Sequence, residues 1–191
     1  MDKIFHSTFD FFSYAIPGFY IIVSCFILNP QLETVQQFLD YMGKINVATG
    51  SFLLIIAYII GFSIYPIGRF LYKKIGFAIW RRSIQNDIPL FISDKYVLVR
   101  QFSDANFKYI ETWNMFCALS HNLVVACLIT LMLTLIRIVF LSSSNTGFWL
   151  LFMFIQLLLT FIFLHRAVIF SLWAAHDLNA TISSLNLHKK Q

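Results

Sequence analysis

Residues 115–164 read MFCALSHNLVVACLITLMLTLIRIVFLSSSNTGFWLLFMFIQLLLTFIFL, two long apolar runs parted by one short polar break. Crossing a bilayer takes about 20 apolar residues per helix, and each run approaches or exceeds that length. The break, Ser142 to Gly147, is so short that the two runs must be antiparallel neighbours, a helical hairpin. Working outward, two further runs of the same kind appear. One extends from Phe11 to Leu28 and stops at Asn29-Pro30; the other extends from Gly50 to Tyr72 and halts at Lys73-Lys74. The expected fold is therefore all-α: one polytopic membrane domain with four transmembrane helices, at 11–28, 50–72, 115–141 and 147–164.

Composition agrees. The 191 residues are 59% hydrophobic and 12% charged, with a mean hydropathy of +0.74. A soluble chain is nearer ~45–50% apolar and ~25% charged, so most of this surface must meet lipid. A large separate soluble domain is excluded, because four crossings consume roughly 80 residues. Cys25, Cys117 and Cys127 all lie in apolar runs without metal-ligand spacing, and read as small lipid-facing or core residues.

The basic residues set the expected orientation. Twelve of the fourteen Lys and Arg fall at the N-terminus, in and beside the loop 73–112, or after the fourth run; only Lys44 and Arg137 fall on the opposite side. Cytoplasmic segments retain Lys and Arg, so both termini and the loop 73–112 are expected in the cytoplasm. The net charge of +5 then reflects topology, and no direct nucleic-acid binding is expected. Ile22-Val-Ser-Cys25 also has the form of a lipoprotein cleavage box. Against cleavage, Phe26-Ile-Leu28 continues the apolar run, and Asp10 and Pro17-Gly18 are unusual in a signal core.

Outside the crossings, Leu32, Val35, Leu39 and Met42 form one helical stripe in the outer loop 31–44, a short helix on the membrane surface or capping the bundle. Within 73–112, Trp80-Arg81-Arg82 reads as an interfacial segment, and Trp113 joins it as a headgroup or partner surface. Ser103-Asp104 reads as a helix start leading into the third crossing. After Arg166, Val168, Leu172, Ala175, Ile182 and Leu185 form a seam with Asn179 at its skipped position, so the fourth helix continues into the tail 165–191. Loop and helix extensions together are expected to make a small cytoplasmic helical layer.

Ionisable residues in lipid are costly, which marks them as functional candidates. Asp10, Arg69, His121, Asn122, His165 and Arg166 all fall toward the cytoplasmic leaflet and are expected to form a shared polar cluster. For Arg69, His165 and Arg166 the bland alternative is snorkelling to headgroups; for His121 it is one interhelical hydrogen bond. Gln156, near mid-membrane, is expected to bond Thr130 or Thr134 and lock a hairpin or a subunit interface. Pro17-Gly18 and Pro66 interrupt the first two crossings. No phosphate-binding loop, dinucleotide turn, His-Glu-x-x-His or nucleophile elbow occurs, and His176-Asp177 is an isolated pair. Neither an enzyme nor a cofactor or metal is expected.

Tyr14-Ala-Ile-Pro-Gly18, Ala57-Tyr-Ile-Ile-Gly61, Ser120-His-Asn-Leu123 and Phe163-Leu-His-Arg-Ala167 occur in order along the chain. In this it resembles small bacterial inner-membrane proteins of defence islands, including the membrane accessory proteins encoded beside type VI-B CRISPR ribonucleases. The resemblance departs at His121, where an Arg before the Asn is the pattern. It implies an accessory or effector in phage defence, located in the inner membrane. Such a protein perturbs the bilayer or modulates a cytoplasmic partner. From the residues themselves the expected partners are the bilayer, further copies of the chain and a cytoplasmic protein, with a membrane anchor or a small solute transporter as alternatives.

Overall fold

The computed structural model describes residues 2–31, 34–84, 88–141 and 145–186, with side chains from residue 11 onward except at 35 and 38. Among the described residues every regular element is helical. Helix α1 (Asp2–Cys25) ends in a 3-10 turn (Phe26–Leu28), and α2 (Val35–Met42) is short. Helix α3 (Val47–Leu71) runs through a π-helical turn (Tyr72–Gly76) into the brief α4 (Phe77–Ile79). Then follow α5 (Ile92–Phe102), α6 (Asp104–Phe140) and α7 (Thr146–Ser184). Four segments are long and apolar enough to cross a membrane: Phe11–Leu28, Val47–Ile79, Asp104–Phe140 and Thr146–Ser184. Their outward faces carry large bare apolar side chains, such as Phe52 and Phe62 on α3 and Phe154 and Leu158 on α7. That is the surface hydrocarbon requires and water would punish.

The first and second crossings touch backbone to backbone. A Cβ on Gly18 would collide with the carbonyl oxygen of Ala57, and one on Gly61 with that of Tyr14. Lipid removes the hydrophobic drive for helices to associate, so close approach over small residues is what holds such a pair. Ala15 and Ala57 are buried at the same contact. On its other side, α3 meets α6 at Gly68, where a Cβ would sit 2.5 Å from the carbonyl oxygen of His121. The Tyr14–Gly18, Ala57–Gly61 and His121 stretches are thus the points where three helices close on one another.

Helices α6 and α7 are the long members, with 37 and 39 residues. At 1.5 Å per residue each is about 55–60 Å long, roughly twice the hydrocarbon thickness. Beyond the bundle they pair as a stalk, and α5 packs across both to make a helical head. Its core is Ile88, Leu98, Val99, Ile110, Ala174, Leu178 and Ile182. The α7 stripe that enters this core is not the one expected from sequence. Val168 and Ile182 are buried, but the buried positions between them are Ala174, Leu178 and Thr181, while Leu185 is 39% exposed. Helix α5 packs on α7 here, and the face of α7 that enters the shared core is the one carrying Ala174 and Leu178.

Ser103 precedes α6 as expected, but its side chain makes no capping bond. Asp104 at the first helical position pairs with Lys108 one turn on, at 2.9 Å. At the other end of the bundle, Thr34 and Gln37 form a reciprocal capping box that starts α2. Leu39 remains 55% exposed, and Tyr41 packs on Phe26 with ring centroids 5.1 Å apart. Leu32 and the side chain of Val35, also assigned to that stripe, lie outside the described residues.

Helix α4 ends in a Schellman turn, with Arg82 N–H donating to Phe77 O and Arg81 N–H to Ala78 O. Its left-handed position, usually glycine, is Arg81 with φ 47°. Because a side chain in that region costs about 1–2 kcal/mol, Arg81→Gly should raise stability by about 1 kcal/mol. A thermal unfolding midpoint at or below that of the parent chain would contradict this.

Candidate functional site

Of the six ionisable and amide residues expected to cluster, the five with described side chains do not form one group. His121 and Asn122 are buried to within 2% or less of full enclosure, whereas Arg69, His165 and Arg166 are exposed. The side chain of Asp10 lies outside the described residues. His165 faces outward onto Trp80, ring centroids 5.0 Å apart. The five described residues fall on different faces of their helices, so the shared leaflet expected of them would not by itself bring them together.

His121 and Asn122 have separate tasks. The His121 ring stacks on Tyr72 at 5.3 Å and meets the edge of Tyr65 at 4.8 Å. Gly68 gives it room, since a Cβ there would stand 2.6 Å from Nδ1. Asn122 reaches α1, its Nδ2 donating to the carbonyl of Ser13 at 3.2 Å. That carbonyl lies four residues before Pro17, which has no N–H to return. Asn122 therefore supplies the donor that Pro17 withholds, from another helix. His121 Nδ1 and Asn122 Oδ1 have no hydrogen-bond partner among the described residues.

Further along, the seam between α1, α6 and α7 is hydroxyl-rich. Thr130, Thr134 and Gln156 are buried there, as inter-helix contacts should be. The bonds differ from those expected. Gln156 Oε1 accepts from Tyr20 at 2.7 Å, and Thr130 shares a 2.6 Å hydrogen bond with Ser24, so both reach α1. Thr134 turns back to the carbonyl of Thr130 at 2.8 Å. The first helix, lying in the groove of the α6–α7 hairpin, intercepts the pairing that sequence proximity suggested.

At the α2 end the seam closes on Arg137, only 1% exposed. Its guanidinium donates to the carbonyl of Ile27 and, at 2.9 Å, to that of Asn29, and stacks over Trp149 at 4.3 Å. The 3-10 turn Phe26–Leu28 directs those carbonyls at it. Sequence reasoning counted Arg137 only among the bases opposite the loop 73–112 and gave it no such role.

The head corrects Trp113 as well. Rather than offering a surface, it is half-buried, stacked on Phe170 at 5.8 Å and edge-on to Trp173 at 4.8 Å. Its Nε1–H donates to Asp177 at 3.0 Å, which ties α6 to α7 and gives Asp177 a partner other than His176. Trp80 is half-buried, and Arg81 and Arg82 are exposed as an interfacial segment requires.

Between stalk and head lies a cavity of about 230 Å³, lined among others by Arg69, Lys73, Lys95, Tyr96, Asn114, Ser171 and Asn179. No carboxylate is among its described lining residues. Arg69 and Lys73 stand one helical turn apart on the α3 stretch that carries the π-helical turn, a feature often found at functional sites. Lys95 is 1% exposed, and its Nζ donates to Asn179 Oδ1 at 2.7 Å. Tyr96 accepts from Asn114 Nδ2 at 2.8 Å. Burial raises the Tyr96 phenol above its ordinary pKa, so at neutral pH it keeps its proton and has one to donate. The Tyr96–Asn114 pair also borders a second cavity, of about 250 Å³, lined by Tyr14, Tyr65 and Glu111. Sequence reasoning missed Lys95, Tyr96 and Asn114, because nothing in their polar surroundings separates them from solvated loop residues.

No protein-family model, curated protein or solved structure matches the chain.

Proposed function

We propose that this is a non-enzymatic multi-pass protein of the bacterial inner membrane, with the α5 head in the cytoplasm, that acts as an accessory or effector in phage defence. The observation that carries the mechanical part of this reading is the continuity of α6 and α7, which run unbroken from bundle to head. A partner that displaces the head therefore moves the same helices that lie in the bilayer. The orientation rests on the base count, and the defence role on the resemblance of the Tyr14–Gly18, Ala57–Gly61, Ser120–Leu123 and Phe163–Ala167 stretches. Because backbone contacts and the buried seam fill the interior of one protomer, a permeable path would form between copies of the chain.

Expression in bacteria should admit a membrane-impermeant dye and depolarise the cells. Trp113→Ala, which cuts the α6–α7 tie in the head, should abolish both while leaving the amount of protein in the membrane unchanged. A silent membrane at high expression of the parent chain would count against the effector reading. A second reading, a membrane anchor for a soluble protein, is favoured by a groove of about 480 Å³ on the head, lined by Ile84, Leu172, Trp173 and His176. Co-purification of a partner, lost on replacing 73–112 and without dye entry, would select it.

A further inference from the structure

We propose that the cavity between α3, α5, α6 and α7 binds a phosphate group. Arg69 and Lys73 line it one turn apart, and neither has a carboxylate or hydrogen-bond partner among the described residues. Two like charges one turn apart on a helix repel, and an anion shared between them relieves that repulsion. Facing them across the cavity are neutral donors, the Tyr96 hydroxyl on α5 and the Ser171 hydroxyl on α7, with Asn114 on α6. Such a mixture suits an anion with several oxygens and more than one charge, because guanidinium, ammonium and hydroxyl can each take a separate oxygen.

Size narrows the choice. A single water claims about 30 Å³ of liquid, so 230 Å³ holds the equivalent of roughly seven waters, too much for a lone halide. Drug-sized ligands fill pockets of about 300–1,000 Å³, so of a larger anion only the phosphate itself would be enclosed, with the rest outside the cavity. A phosphate or phosphate ester fits between those limits. Location allows two sources. The cavity opens beside the end of the Val47–Ile79 segment, where a lipid phosphate would lie, and also beside the head, from which a soluble phosphate could enter. The proposal goes beyond the effector and anchor readings and stands whichever of them is right, since binding is measured apart from permeability.

The test uses the purified full chain. Thermal unfolding is followed in detergent with inorganic pyrophosphate against chloride of equal ionic strength. It is also followed in nanodiscs of phosphatidylcholine with or without phosphatidylglycerol. A rise in the midpoint with pyrophosphate assigns a soluble source; a rise only with phosphatidylglycerol assigns the lipid. In the responsive arm, Arg69→Gln combined with Lys73→Gln should weaken binding about tenfold or more. Arg69→Lys, which keeps the charge and guards against a folding artefact, should retain most of it. Lys74→Gln is the control, adjacent in sequence but absent from the cavity lining, and should leave binding unchanged. No response in either arm, or an equal loss with Lys74→Gln, would overturn the proposal.

Discussion

Replacing Gly61 by Leu should part α1 from α3 and sharply reduce the amount of folded protein recovered from membranes. The obstacle is backbone: a Cβ at this position runs into the carbonyl oxygen of Tyr14, which no rotamer change can move. Overfilling a packed core costs about 1–3 kcal/mol when side chains can give way. Here a whole helix must shift, which also loosens the reciprocal contact at Gly18 and draws Tyr14 from its ring contacts with Tyr58 and Phe62. A loss of about 3 kcal/mol or more is expected, at the destabilising extreme for one substitution. Gly50→Ala supplies the comparison, since nothing lies within 4 Å of its added Cβ; it should be neutral or slightly stabilising through helix propensity. Thermal unfolding in detergent measures both. Equal midpoints for Gly61→Leu and Gly50→Ala would mean that the close approach does not hold the pair.

The second large effect concerns Asn122. Asn122→Leu keeps the same branched skeleton but strips the donor from the Ser13 carbonyl, leaving a buried acceptor that Pro17 cannot serve. Interhelical hydrogen bonds in membranes average only about 0.6 kcal/mol, because a partner lost in one place is often regained in another. A carbonyl that proline has freed inside a packed contact has fewer alternative donors, so the cost rises above that average, to about 1–2 kcal/mol. Pro17→Ala restores the N–H within α1 and makes the Asn122 donor dispensable. Asn122→Leu with Pro17→Ala should therefore be more stable than Asn122→Leu alone, with a coupling of about 1 kcal/mol or more in the double-mutant cycle. Strictly additive effects would sever the two residues.

Much of the architecture was readable from apolar length. The four crossings, the tight hairpin, the helix start at Asp104 and the run of α7 past Arg166 all follow from the sequence pattern. Apolar length says nothing about which way a residue faces, and there the reading failed. His165 and Arg166 lie on outward faces; His121 and Asn122 are inward. Gln156 bonds a helix distant in sequence, since the nearest strand of the chain is not the nearest polar partner in space. Arg137 was counted only for its side of the chain's topology, because four residues from the end of a run an exposed Arg and a buried one are identical on paper. One signal was present and unread: a proline in a crossing frees the carbonyl four residues before it, and a buried Asn elsewhere is the natural donor.

The dependence of Pro17 on Asn122 also bears on how the chain is assembled. Ser13 and Asn122 are separated by 109 positions in sequence. At about 5–20 residues per second of synthesis, the first helix emerges several seconds before its donor exists. Through that interval α1 lacks the donor that Asn122 later brings to Ser13. The Gly18–Gly61 contact can form as soon as α3 emerges, well before α6. A provisional α1–α3 hairpin, held by glycine contacts and sealed only when α6 arrives, is the order of biogenesis that this one hydrogen bond imposes.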